Sequence, residues 1–268
     1  MRCGINMNRT TLSLALILGS SLFAACTTDG ESGTTLGNDE LGTESPADGE
    51  AAKADGIDTF GIYTAVKVGA FECNGQGSCT HVTLARANRS TTTCANGSVK
   101  ASCDVRYLDF SKLGLSASKL DAVTTKLQAS AATPEVGAQL LVRGKYVHGT
   151  SPLHPGVDWV TFQVTELWTA QLADGAVDGT FVMIRDNGTR CIDGPCPSIS
   201  ELRINSTLKA TTNGLDWSTP SSTSLQNRVY DGETKTDGVI VTGYRTHGQL
   251  MHLPTTLRSV EQVYLLTK

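Results

Sequence analysis

Six landmarks occur in the same order in two stretches of this chain, residues 60–168 and 179–266. In the first stretch, Tyr63-Thr64-Ala65-Val66-Lys67-Val68 leads into Cys73 and Cys79. Leu84-Ala85-Arg86-Ala87-Asn88 follows, then Leu108-Asp109-Phe110, then Leu140-Leu141-Val142-Arg143-Gly144 with His148-Gly149 just beyond, and finally the run Phe162 to Trp168. In the second, Phe181-Val182-Met183-Ile184-Arg185 leads into Cys191 and Cys196. Leu202-Arg203-Ile204-Asn205, Leu215-Asp216-Trp217, Val239-Ile240-Val241-Thr242-Gly243, His247-Gly248 and the run Val260 to Tyr264 then follow. A chain that spells one ordered pattern twice is constrained to build similar units from both copies.

Each stretch reads mainly as strand. Val160, Phe162 and Val164 alternate with Thr161, Gln163 and Thr165, the period of a half-buried strand. One helical signal interrupts each copy. In the first, Ser118 and Asp121 suit a capping box, Leu120, Val123 and Leu127 share a helical face, and Pro134 and Gly137 stop the helix. In the second, a shorter candidate runs from Ser222 to Tyr230. Strand, strand, strand, helix, strand, strand is the order of an OB-like barrel. The pattern predicts a mainly β protein with two tandem small OB-like β-barrels, each with one short helix, in residues 57–168 and 179–268, joined by a linker at 169–178. A single β-sandwich with a pseudo-twofold axis is the rival arrangement.

The N-terminal segment is of a different kind. Arg2 and Arg9 precede an apolar run from Leu12 to Leu18, and small residues follow up to Cys26. This is the build of an export signal, too short to span a bilayer. Phe23-Ala24-Ala25-Cys26 resembles the lipobox of bacterial lipoproteins, which implies a signal peptide over residues 1–25 and a lipidated Cys26. An ordinary secretory signal is the alternative. Thr27 in place of an acid after the cysteine favours the outer membrane by analogy with lipoprotein sorting. Residues 26–56 then read as a disordered acidic tether: Gly, Ser and Thr abound, no aromatic residue occurs, and the acids are offset by Lys53 alone. The tether carries about −7 of charge and the signal about +2, so a net −4 leaves residues 57–268 almost neutral. A near-neutral domain with no basic stripe is not built for nucleic acid. The partners this implies are a membrane, through the lipid, and an envelope or extracellular protein.

Beyond the targeting segment six cysteines remain: Cys73, Cys79, Cys94, Cys103, Cys191 and Cys196. An even number in an exported chain favours disulfides, and closeness along the chain suggests Cys73–Cys79, Cys94–Cys103 and Cys191–Cys196 among the possible pairings. The stretch Arg190-Cys191-Ile192-Asp193-Gly194-Pro195-Cys196, with Leu202-Arg203-Ile204-Asn205 and Gly214-Leu215-Asp216 after it, resembles a bacterial domain family of unknown function. Thr93-Cys94-Ala95-Asn96-Gly97, Cys103 and Leu113-Gly114-Leu115 carry the same resemblance into the first copy. The resemblance implies a repeated Cys-containing β module in a secreted or lipid-anchored protein, and it implies no activity.

Candidate chemistry is sparse. No G-x-S-x-G, H-E-x-x-H, Walker or dinucleotide motif is present. No catalytic residue and no cofactor are therefore assigned. His148 and His247 stand at matching places, with His154 and His252 one hairpin further on, and such a set could ligate a metal with Asp158 as a further ligand; exposed turns are the plainer reading. Asp109 and Asp216 are expected to cap the turns at Ser111 and Ser218, and Asn88 and Asn205 to end strands in side-chain-bonded turns. Trp159, Trp168 and Trp217 are expected in core or rim positions. The function expected is that of a membrane-anchored, non-enzymatic binding or structural module. A secreted-type protease inhibitor acting through the Cys191–Cys196 loop and a His-dependent metal protein or enzyme are the alternatives.

Overall fold

The structure is a computed structural model that describes residues 61–72, 78–132, 138–150, 158–172, 179–217, 221–232, 237–250 and 252–268. Cys26, the tether, Cys73, Pro134, Gly137, His154 and Ser218 lie outside the described residues, as does the expected Cys73–Cys79 bridge.

The protein is mainly β. The first half contributes β1 (Ile62–Glu72), β2 (Ser78–Arg86), β3 (Thr92–Thr93), β4 (Val99–Lys100), β5 (Cys103–Val105), β6 (Leu108–Asp109), β7 (Leu140–Thr150) and β8 (Asp158–Ala170). The second contributes β9 (Val182–Asp186), β10 (Ile199–Arg203), β11 (Lys209–Thr212), β12 (Gly214–Asp216), β13 (Val239–Thr242), β14 (Arg245–Leu250), β15 (Leu253–Ser259) and β16 (Gln262–Leu266). One helix precedes β7: α1 (Ala117–Ala132). Another, α2 (Thr223–Asn227), passes into a π-helical turn at Arg228–Gly232 before β13.

The expectation of two separate barrels is corrected. Among the described residues no barrel closes, and one sheet runs through both halves in the order β11-β10-β9-β13-β16-β8-β7-β1-β2-β5. The join is β8 with β16, antiparallel, with Ala170 opposite Tyr264 and Trp168 opposite Leu266. Thr169 and Ala170, expected in the linker, are thus strand residues. The physical reason is that both strands are apolar on both faces here. Leu167, Trp168, Ala170, Val263, Tyr264 and Leu265 are all buried, so neither strand can serve as a solvent-facing edge.

Read from its two edges the sheet has the same order, with β5, β2, β1, β7, β8 matched by β11, β10, β9, β13, β16. Two parallel pairings match as well. Leu108 and Asp109 of β6 lie beside Phe162 and Gln163 of β8, and Leu215 and Asp216 of β12 lie beside Arg258 and Ser259 of β15. β7 is bulged at Arg143–Gly144, and the corresponding break, at Gly243, separates β13 from β14. A side chain fits at neither glycine: a Cβ on Gly144 would stand 2.1 Å from the Gln163 carbonyl oxygen, and one on Gly243 2.1 Å from that of Ser259.

The core has three parts. One fills the first half around Leu84, Tyr146, Phe162 and Val164, and a second fills the other half around Val182, Ile184, Val241 and Val263. The third is shared, with matched members from each half: Ile62 and Phe181, Ala87 and Ile204, Leu141 and Ile240, Trp168 and Tyr264. β1 and β9 are five ladder steps apart, roughly 24 Å in a flat sheet at the usual strand spacing. Yet the Ile62 amide donates to Asn205 Oδ1 at 2.8 Å and the Phe181 amide to Asn88 Oδ1 at 2.9 Å. The sheet therefore curls until the two halves meet over the shared core, as the right-handed twist of successive strands allows. Both asparagines adopt the left-handed conformation, φ 59° and 58°, which asparagine tolerates better than other residues with a side chain.

The two private cores differ in charge at one set of matched positions. In the first half Leu84, Tyr146 and Phe162 are buried, with Tyr146 opposite Phe162 across the β7–β8 ladder and their rings 5.2 Å apart, edge to face. At the matching positions of the second half stand Glu201, Arg245 and Arg258, with Arg245 opposite Arg258. Arg258 is fully buried and donates from Nε and Nη2 to both Glu201 carboxylate oxygens, at 3.1 and 2.9 Å, and from Nη1 to the Gly243 carbonyl at 3.0 Å. Arg245 Nε lies 3.6 Å from Glu201 Oε2. An aromatic and aliphatic core has a charged counterpart.

Candidate ligand-binding cleft

The strands after the Cys94–Cys103 disulfide position a cleft in the first half. That disulfide ties the β3–β4 hairpin to β5, with Cys103 buried in the core. β6 then ends in a tight turn. Asp109 Oδ1 accepts the Ser111 amide at 2.9 Å and Oδ2 accepts Gln163 Nε2 at 3.4 Å. The Ser111 amide above all holds the Asp109 carboxyl below its ordinary value. Asp109 therefore starts the 3-10 turn Ser111–Leu113, and Gly114 closes it in the left-handed conformation. The chain re-enters a helix at once. Ser116 caps α1: its Oγ accepts the Lys119 amide at 3.4 Å and its carbonyl the Leu120 amide at 2.9 Å. The capping role expected of Ser118 falls instead on the residue two positions earlier.

α1 buries Val123 and Leu127 on the core, whereas Leu120, of the same expected face, remains 39% exposed. The helix thus touches the sheet at one side and stands off at the other. The gap is a cleft of about 580 Å³ between α1, the Phe110–Leu115 turn and β2. Val82, Leu108, Phe110, Leu115, Leu120 and Leu127 supply apolar lining; His81, Arg106, Tyr107, Asp109, Thr124 and Gln128 supply polar groups. Cleft size and mixture are those of a small-molecule site. At the rim, His81 Nε2 lies 3.2 Å from Asp104 Oδ1, and the Arg106 guanidinium carbon lies 4.8 Å from the centre of the Trp159 ring.

The second half treats the same place differently. Trp217 follows Asp216 as Phe110 follows Asp109, and its ring meets Tyr230 edge to face at 6.4 Å. The Leu215 amide donates to the Tyr230 hydroxyl, which in turn reaches the Leu215 carbonyl. The short α2, capped by Ser222 Oγ on the Leu225 amide at 3.1 Å, delivers Tyr230 there.

A family model described as a domain of unknown function, DUF6748, matches residues 69–268. The chain belongs to the DUF6748 family. The match runs through both halves of the sheet as one stretch. No curated protein and no solved structure matches the chain.

In this DUF6748 chain three of the histidines singled out from the sequence, His148, His247 and His252, are among the described residues. His148 is exposed on β7 opposite Val160. His247 is exposed on β14, its Nδ1 3.2 Å from Thr256 Oγ1. His252 is exposed in the β14–β15 turn with φ 65°. Among the described residues no group of three or more His, Cys, Asp or Glu is assembled for a metal. A second disulfide among the described residues, Cys191–Cys196, closes a loop between β9 and β10 whose base is held by the Arg190–Asp186 ion pair at 2.7 Å and by Asn187 Nδ2 on the Pro197 carbonyl at 2.8 Å. Ile192 at its tip is fully exposed. Trp168 is core and Trp217 half-buried, as core or rim placement requires, while Trp159 lies beneath Arg106. Sequence reasoning missed His81 and Arg106. Arg106 falls in the two-residue link between β5 and β6, and neither it nor His81 stands in a motif that marks it.

Proposed function

We propose that this DUF6748 chain is an envelope lipoprotein, held in the outer membrane by lipid on Cys26, whose duplicated β module binds a ligand in the cleft beneath α1 without transforming it. One observation carries the binding reading: α1 stands off an apolar floor at the place where the other half packs Trp217 against Tyr230. Duplication is supported by the matched strand order and the matched core pairs. Divergence after duplication would leave one copy open and the other closed. A binding role is further supported by the state of Asp109, whose oxygens are spent on the Ser111 amide and Gln163, so that it holds a turn and does not stand ready to move a proton.

Titration with anilinonaphthalene sulfonate tests the cleft. Saturable enhancement that Leu120→Glu abolishes is expected; enhancement indifferent to that substitution would refute the site. Palmitate labelling in cells tests the anchor: label should be lost in Cys26→Ser, and a chain that never takes label would refute it.

A second reading, protease inhibition, is favoured by Ile192, a bare aliphatic side chain on a disulfide-closed, ion-paired loop. Such preorganisation lowers the entropy cost of binding. Assay against serine proteases with aliphatic primary pockets decides it: inhibition lost in Ile192→Glu supports it, and no inhibition at any protease tested rejects it.

A further inference from the structure

We infer that the ligand of the cleft is an anionic amphiphile, with an apolar body between α1 and the sheet and one carboxylate or phosphate head at Arg106. This rests on the cleft being a binding site. The reasoning turns on how Arg106 is held and what it lacks. Its amide donates to the Val160 carbonyl at 2.8 Å, which places it beside β8, and its guanidinium lies over Trp159 at 4.8 Å. A cation over an aromatic face is held there by the ring and keeps its N–H donors for another partner. Among the described residues the Arg106 side chain has no ion pair and no hydrogen bond. Other arginines have a carboxylate: Arg143 has Glu166 at 2.8 Å, Arg190 has Asp186, and Arg258 has Glu201.

Two carboxylates of the same stretch have partners of their own among the described residues. Asp104 faces His81, and Asp109 receives the Ser111 amide and Gln163. A half-buried guanidinium seated on a ring, with no counter-ion among the described residues and lining an apolar cleft, is complementary to a single anionic group attached to an apolar body. One cation at the rim suits one headgroup and not a polyanion.

The test is calorimetric titration of the full chain carrying Cys26→Ser, so that no attached lipid competes, with decanoate, decyl phosphate and decanol. One of the two anions should bind roughly ten- to hundredfold more tightly than decanol, the range of a hydrogen-bonded charge pair. Which of them binds more tightly tells a carboxylate from a phosphate head. Arg106→Gln should erase that preference, bringing both anions to the affinity that decanol shows for the same variant. Equal affinity for decanol and both anions, or a preference that survives Arg106→Gln, would overturn the anionic head and leave the cleft standing. If no decyl compound binds, or if Leu120→Glu leaves decanol binding intact, the cleft itself is overturned, and the inference with it.

Discussion

Asn88 and Asn205 each bond the backbone of the opposite half, in the same way. Asn88 Nδ2 donates to the carbonyls of Phe181 and Ile204, at 2.7 and 3.0 Å, and Asn205 Nδ2 donates to those of Ile62 and Ala87, at 2.7 and 2.8 Å. Each Oδ1 accepts the amide opposite, so each side chain satisfies three backbone groups beside the shared core. Asn88→Ala should destabilise the fold by about 2–4 kcal/mol, from orphaned polar groups and a left-handed alanine. Asn88→Gly, which removes the backbone strain, should recover about 1 kcal/mol of that. Urea unfolding measures both; equal losses in the two variants would mean that the left-handed turn contributes nothing.

The buried charge cluster makes a sharper prediction. Glu201→Leu leaves Arg258 buried without its carboxylate and should cost about 3–5 kcal/mol. The triple change Glu201→Leu, Arg245→Tyr, Arg258→Phe copies the first half's Leu84, Tyr146 and Phe162 into the second. It should be neutral or stabilising by about 1–4 kcal/mol relative to the native chain. A triple variant as unstable as Glu201→Leu would contradict the positional match between the halves.

Glycine is required at Gly144 and Gly243 by the approach of a neighbouring carbonyl, and Gly243 adds a φ of 145°. Alanine at either position should lower stability by about 1–3 kcal/mol or more. Gly149, where a Cβ would meet nothing within 4 Å, is the control. Gly149→Ala should change the melting temperature little, and a drop equal to that of Gly144→Ala would remove the steric explanation.

Acid should expose the role of Asp109. Its folded pKa lies below the ordinary 3.8, so its ionised form stabilises the fold above that value, and this contribution is lost as pH falls through the folded pKa. Native chain should therefore melt above Asp109→Asn at neutral pH, with the gap closing in strongly acid solution. Melting curves across the acid range check this; a gap that persists at the acid end would assign the effect to shape and not to charge.

Much of the local structure was legible in the residues. Alternation at Phe162 and Val164 placed both in the core, and Ser222 marked the start of α2. Closeness along the chain indicated Cys94–Cys103 and Cys191–Cys196. Asp109 was readable as a turn cap because its partner is two residues away. Strand neighbours were not readable, because alternation tells which face is buried and not which strand lies alongside. The β8–β16 join and the single sheet it creates were lost for that reason. Arg106 over Trp159 was lost likewise, since it pairs residues of separate strands. Leu120 fell on the expected helical face, but periodicity carries no information on how closely α1 meets the sheet.

The most direct test of the central claim is amide chemical-shift mapping during titration of the Cys26→Ser chain with decanoate. The expected result is saturable shifts in Arg106–Leu115 and Leu120–Gln128, with Asp216–Trp217 and Arg228–Gly232 of the other half unmoved. Shifts centred on the Cys191–Cys196 loop, or spread equally over both halves, would contradict a binding site confined to the cleft beneath α1.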